Sequence, residues 1–262
     1  MTAAASRWPY PRVVAHRGGG TLAPENTLGA LRHGASLGFR GVEFDVMLAG
    51  GGTPVLIHDE TLERTTSGRG SVPLMAYADI EAFDAGAWHS EAFRGEKVPT
   101  FVAAANLCRE LGLWANVEIK PAKGFERETG RAVGQWALDL WRGAELPPVL
   151  SSFSPEALVA AKEVAPALPR GMLVSRIPAD WHARMEKLEC VALHCKHSEL
   201  TEPLAAAIHS AGYAIACWTV NDPAQARKLF GWGVDCIITD RLDLIAADFG
   251  KVGSGKFGSE ST

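Results

Sequence analysis

The chain has 262 residues, 47% of them hydrophobic, and a formal net charge of -4 at pH 7. That length suits one α/β barrel domain of about 250 residues, and the acidic balance supplies no basic footprint for nucleic acid. No apolar run is long enough to cross a bilayer and residues 1–12 lack the apolar stretch of a secretion signal, so a cytoplasmic protein without a membrane span is expected.

Val13, Val14 and Ala15 read as a short strand that ends in His16, Arg17 and three glycines. Chemistry placed where a strand stops is the usual arrangement in α/β folds. Pro24, Glu25, Asn26 and Thr27 then lead into residues 28–37, whose apolar positions recur at helical spacing, with Asn26 or Thr27 to cap the helix and Gly38 to close it. Residues 41–47 form a second strand. Its period of two puts Glu43, Asp45 and Met47 on one face and Val42, Phe44 and Val46 on the other. Two acids facing the same way from an apolar strand fit a bound divalent cation, or an edge strand whose acids simply lie in water. Gly50, Gly51 and Gly52 make a turn, and residues 55–58 return as a strand on which Leu56 and His58 share a face.

From 60 to 97 the apolar pattern weakens, giving an excursion too long for a plain connection and of the kind found beside sites. Regular alternation follows: helix 100–111, strand 113–119, helix 125–141, strand 149–152, helix 155–164, strand 171–175, helix 181–188, strand 190–196, helix 202–211, strand 213–220, helix 223–230, strand 236–239 and helix 242–249. Eight strands separated by helices, with the His58 hairpin as an extra, give an α/β chain of the (β/α)8 TIM-barrel class with a small insertion after the second strand. The expected organisation is a single barrel over 1–250, with the hairpin and insertion at 50–98 beside the active site and a flexible tail at 251–262. A doubly wound nucleotide-binding sheet would need a G-x-G-x-x-G spacing that Gly18, Gly19 and Gly20 do not supply. The stretch from Gly250 to Lys256 has most of a P-loop, but Phe257 stands where Ser or Thr should be. Five cysteines (Cys108, Cys190, Cys195, Cys217 and Cys236), mostly in apolar runs, read as buried free thiols; Cys195 between His194 and His197 has no companion cluster at a zinc spacing.

On the strand at 113–119, Asn116, Glu118 and the following Lys120 alternate onto one face, so a barrel would bring Glu118 to the same mouth as Glu43 and Asp45. Three carboxylates suit a hard divalent cation, Mg²⁺ or Ca²⁺, with Mn²⁺ also compatible. Lys120 is either a structural ion pair with one of these acids or, with Arg17, a cationic rim that binds a substrate anion. His16 and His58 end runs that flank the acids, where two imidazoles can act as general acid and base near neutral pH.

The motifs in order, His16 to Gly18, Pro24 to Thr27, Gly41 to Asp45, His58 with Asp59, Leu62 with Arg64 to Thr66, Glu118 to Lys120, Ser151 to Phe153 and Trp218 to Asn221, closely resemble the glycerophosphodiester phosphodiesterase family. The resemblance spans residues 16–240. It implies a (β/α)8 barrel that hydrolyses glycerophosphodiesters to an alcohol and sn-glycerol 3-phosphate with a divalent cation. It further implies Glu43, Asp45 and Glu118 as metal ligands, His16 and His58 as acid and base, Arg17 and Lys120 as phosphate contacts, and Trp218 as an aromatic near the glycerol, a role that ordinary barrel packing rivals. Residues 49–53 depart from the Thr-x-Asp-Gly turn of many members, which touches only the hairpin. Three competitors stand beside this reading. An amidohydrolase-type barrel wants a second histidine where Val14 stands; a phospholipase D-like relative shares the layout but releases a cyclic phosphate; a non-catalytic phosphoester-binding barrel predicts loss of an acid or histidine. The leaving alcohol and the oligomeric state have no sequence signal.

Overall fold

A computed structural model of the chain describes residues 8–250, so the P-loop-like stretch beyond Gly250 and the tail expected at 251–262 lie outside the described residues. The elements run β1 (Val13–Ala15), α1 (Leu28–Ser36), β2 (Gly41–Leu48), β3 (Pro54–Leu56), α2 (Tyr77–Ile80), α3 (Phe101–Glu110), β4 (Trp114–Ile119), α4 (Glu126–Leu140), β5 (Val149–Ser152), α5 (Pro155–Val164), β6 (Arg170–Val174), α6 (Trp181–Leu188), β7 (Ala192–Lys196), α7 (Glu202–Ser210), β8 (Ala214–Trp218), α8 (Pro223–Gly231) and β9 (Cys236–Thr239). All strands but β3 are parallel neighbours around a ring, and β1 pairs with both β9 and β2, which closes it into a TIM barrel. Strand β3 adds antiparallel to the upper half of β2, with Val46 opposite Leu56 and Leu48 opposite Pro54. This is the hairpin expected from the three glycines.

Barrel strands are buried on both faces, which is why they read as near-continuous apolar runs. Outward-facing Val42, Phe44, Val46 and Val117 pack under the helices with Phe101 and Ala105, while Val14, Ala192, Ala214, Ala216 and Ile238 belong to a second cluster with Trp8 and Trp114. Tyr10 stacks on Trp114 at 4.5 Å between ring centres at the N-terminal end of β4. Chemistry is therefore left to the opposite mouth. Side-chain caps start several of the helices: Thr27, Thr100 and Ser154 each accept from the backbone N–H three residues on. Residues 57–99 hold α2 and build a separate apolar cluster on the hairpin through Ile57, Leu62, Val72, Ile80 and Val98. The five cysteines are buried and unbridged. No helix among the described residues is long and apolar enough to cross a membrane.

Two expectations fail. Residues 242–249 form separate turns rather than a helix, with N–H groups of Ile245 and Phe249 donating to the carbonyls of Arg241 and Ala246. Only Leu242 and Ile245 are buried there, and two anchors do not offset the cost of nucleating a short helix. The returning strand of the hairpin also stops early, at Leu56, so His58 lies in a bend beyond it and does not share a strand face with Leu56.

Candidate active site

After β1 the chain turns through the left-handed region, with φ of +49° at Arg17 and +88° at Gly18. This conformation is costly for an arginine. Helix α1 packs against the turn so closely that a Cβ on Gly34 would overlap the Gly18 carbonyl oxygen. His16 and Arg17 are thereby held over the barrel mouth. Asn26, also left-handed at +58°, grips Asp45 twice: its Nδ2 donates to Asp45 Oδ2 at 2.9 Å and its Oδ1 accepts from the Asp45 N–H at 3.1 Å.

The β2–β4 register sets Glu43 opposite Asn116 and Asp45 opposite Glu118. Glu43, Asp45 and Glu118 are 3%, 1% and 8% exposed, and each turns one oxygen to a point where all three oxygens lie within 4.8 Å. Such proximity without water is unfavourable for carboxylates. Burial, reinforced by the Asp45 charge, pushes Glu118 up to about 8. Burial likewise drives Glu43 up to about 7, with His16 opposing and Asp45 assisting. At Asp45 burial also favours the neutral acid, but Lys120 and Arg17 outweigh it and hold the carboxyl below its ordinary range. An all-oxygen set of this kind, buried and partly forced to carry protons, fits a hard divalent cation.

Two cations border the acids. Lys120 Nζ lies 2.9 Å from Glu118 Oε1 and 3.5 Å from Asp45 Oδ1. Arg17 donates its backbone N–H to Glu43 at 3.1 Å and its Nη1 to Glu25 at 2.6 Å, and its Nε stands 3.5 Å from Asp45. The histidines are each oriented by an acid at Nδ1. His16 Nδ1 is 2.5 Å from Asp240 Oδ1 and its Nε2 is 3.7 Å from Glu43; His58 Nδ1 is 2.6 Å from Asp59 Oδ1. Burial works against either imidazolium. For His16 the Asp240 hydrogen bond and the Glu43 charge overcome it and the pKa is raised, whereas for His58 burial, with Arg17 and Lys120 nearby, leaves the pKa lowered.

His16, Arg17, Glu43, Asp45, His58, Glu118, Lys120 and Trp218 all line one cleft, together with Asn116, Phe153, Leu173, Thr219 and Ile238. The eight residues singled out from the sequence therefore meet. Asp240 was not among them, nor was its neighbour Asn221, which donates to the other Asp240 oxygen at 3.1 Å. The available signal was that a closed barrel returns its last strand beside its first, so the residue after β9 must abut the residue after β1.

A profile of the glycerophosphoryl diester phosphodiesterase family matches residues 16–244, a span that contains every residue lining the cleft. The chain belongs to that family. It is an enzyme, a phosphoric diester hydrolase. A glycerophosphodiester phosphodiesterase of Caldanaerobacter subterraneus subsp. tengcongensis is 33% identical over 87% of this chain and 93% of its own. Another from Bacillus subtilis is 28% identical over 92% and 86% of the two chains. Among solved structures, an Oleispira antarctica phosphodiesterase in complex with the product sn-glycerol 3-phosphate is 38% identical with a TM-score of 0.84, covering 88% of this chain and 93% of that one. The glycerophosphodiester phosphodiesterase of Agrobacterium tumefaciens, 28% identical, has a TM-score of 0.75 over 89% and 97% of the two chains.

Proposed function

We propose that the protein hydrolyses glycerophosphodiesters to an alcohol and sn-glycerol 3-phosphate, using a divalent cation held by Glu43, Asp45 and Glu118 and using His16 and His58 as acid and base. The observation that carries this reading is the meeting, in one cleft, of a buried three-acid cluster, two cations and two imidazoles whose Nδ1 atoms are already committed to carboxylates. A bound cation of this class would draw charge from the phosphoryl oxygens and make phosphorus more electrophilic.

The side chains divide the remaining work. Arg17 and Lys120 place positive charge beside the acids, where the phosphate must sit. With Nδ1 bound to Asp59 or Asp240, each histidine presents Nε2 for proton transfer. One imidazole takes the nucleophile's proton and the other delivers one to the leaving alkoxide; the lowered pKa of His58 and the raised pKa of His16 favour His58 as the base and His16 as the acid. One P–O bond forms as the other breaks. Trp218 Nε1 is buried without a protein acceptor, which supports its place as the aromatic beside the glycerol moiety, with an N–H to offer it.

The test is a ³¹P NMR assay of the purified protein with a panel of glycerophosphodiesters, with and without a chelator. Release of sn-glycerol 3-phosphate that stops on chelation and returns with Mg²⁺, Ca²⁺ or Mn²⁺ is expected. Accumulation of a cyclic phosphate would move the protein to the phospholipase D-like reaction, and undiminished turnover after exhaustive chelation would remove the cation from the mechanism.

A further inference from the structure

Arg64 does not line the cleft, yet it joins two segments that do. Its Nε and Nη2 donate to Asp59 Oδ2 at 2.5 Å and Oδ1 at 3.1 Å, and its Nη1 and Nη2 donate to Glu25 Oε2 at 2.7 Å and Oε1 at 2.8 Å. One planar guanidinium thus grips both oxygens of two carboxylates from different loops. Asp59 in turn holds His58 Nδ1, and Glu25 holds Arg17, whose Nε approaches Asp45. A line of alternating charge runs from His58 through Asp59, Arg64, Glu25 and Arg17 to Asp45.

We propose that Arg64 is a positioning residue, which aligns the catalytic imidazole of His58 and the phosphate-binding Arg17 with one another across the cleft. The inference rests on the roles given to His58 and Arg17 above. With both oxygens of Asp59 engaged by Arg64, that carboxylate cannot rotate away from His58 Nδ1, so the ring keeps its tautomer and its aim. Glu25, itself held through both oxygens by Arg64, in turn anchors Arg17 through Nη1. Four of the five N–H donors of Arg64 go to these two acids, and Arg64 is not among the residues lining the cleft, so it does not itself take the phosphate. Its side chain is 45% exposed, against 13% for Glu25 and 28% for Asp59, and ion pairs with one partner open to solvent add modestly to folding stability. Its loss should therefore appear in turnover rather than in the fold. Lysine, a point charge without the fork, can serve only in part.

Steady-state kinetics of the whole, cation-loaded protein on a glycerophosphodiester, alongside thermal melts, decide the matter. Arg64→Gln is expected to lower kcat by about 10- to 100-fold with a smaller change in KM and a Tm close to the parent's. Arg64→Lys should fall between the two, and millimolar ethylguanidinium should restore part of the kcat of Arg64→Gln and none in His58→Ala. A kcat within about twofold of the parent, a change confined to KM, or a loss that tracks a lowered Tm and ignores ethylguanidinium would overturn the proposal. If Arg64→Gln does not fold, the kcat of Arg64→Lys carries the same decision. Full activity of His58→Ala would instead overturn the acid/base reading, and with it the ground for any role of Arg64.

Discussion

Lys120 serves two masters, and its substitution separates them. Its ammonium offsets Glu118 and Asp45, and in the proposed mechanism it faces the phosphate. Lys120→Met is expected to lower kcat/KM about 100-fold, or roughly 2.7 kcal/mol of transition-state stabilisation, measured with saturating cation. Near-normal catalysis would leave Lys120 only its ion pairs. Glu43→Gln, Asp45→Asn and Glu118→Gln are each expected to reproduce chelation, losing both turnover and calorimetrically measured cation binding while keeping the circular dichroism of the parent. These residues were legible in the sequence because a strand's period of two states which side chains share a face, and two paired strands then bring Asp45 and Glu118 together. Asp240 carried no local signal: 224 residues separate it from His16, and only the closure of the barrel brings the two together. The grip of Glu25 on Arg17 was hidden for another reason, since it depends on a left-handed backbone at a residue type that gives no warning of one.

Helices α4 and α5 meet with almost no space between them. A Cβ on Gly130 of α4 would overlap the Ala157 carbonyl oxygen of α5, and that obstacle is backbone, which no rotamer change relieves. Alanine gains about 1 kcal/mol over glycine in a helix interior, but overpacking of this kind costs about 1–3 kcal/mol or more. Gly130→Ala is therefore expected to be destabilising on balance, by about 2–4 °C of Tm for each net kcal/mol in a chain of this size. Because α4 and α5 stand outside the barrel, kcat at 25 °C should change little; a raised Tm would show that the helices can separate at no cost. The strands were the most readable elements, since burial on both faces leaves a short apolar run in each, such as Cys236 to Ile238 of β9. Residues 242–249 misled because Leu242 and Ile245 are spaced as well for one turn as for a helix, and only the surrounding packing tells the two apart. The end of β3 was missed because Ile57 continues the apolar run of Val55 and Leu56 while its side chain joins the insertion cluster.

For the molecule as a whole, the buried acids couple stability to pH. Glu43 and Glu118 lie at about 7 and about 8 against an ordinary 4.5, so the folded protein keeps protons that the unfolded chain has released and its stability falls as pH rises through that window. The raised His16 acts in the same sense; the lowered His58 opposes it only below the ordinary histidine value of 6.5. Chelated protein is expected to lose Tm between about pH 6.5 and 8, and an added divalent cation to restore more at the upper end, where it displaces fewer protons. Melts at three pH values with and without chelator check this, and a flat profile in the chelated protein would contradict it. The ring itself is unevenly fastened. Between β1 and β2 it is closed by one register pair, Ala15 with Val42, whereas β2 and β4 share pairs from Gly41 with Trp114 to Val46 with Ile119. That join is expected to open more readily than the β2–β4 pairing, and it divides His16 and Arg17 on one lip from Glu43 and Asp45 on the other. An opening there would part the site, and in the proposed function a phosphodiester lying across both lips would act as a crossbar. Occupancy should accordingly be written in the amide hydrogen exchange of β1 and the start of β2, while β4 to β8 keep the same rates with the site filled or empty.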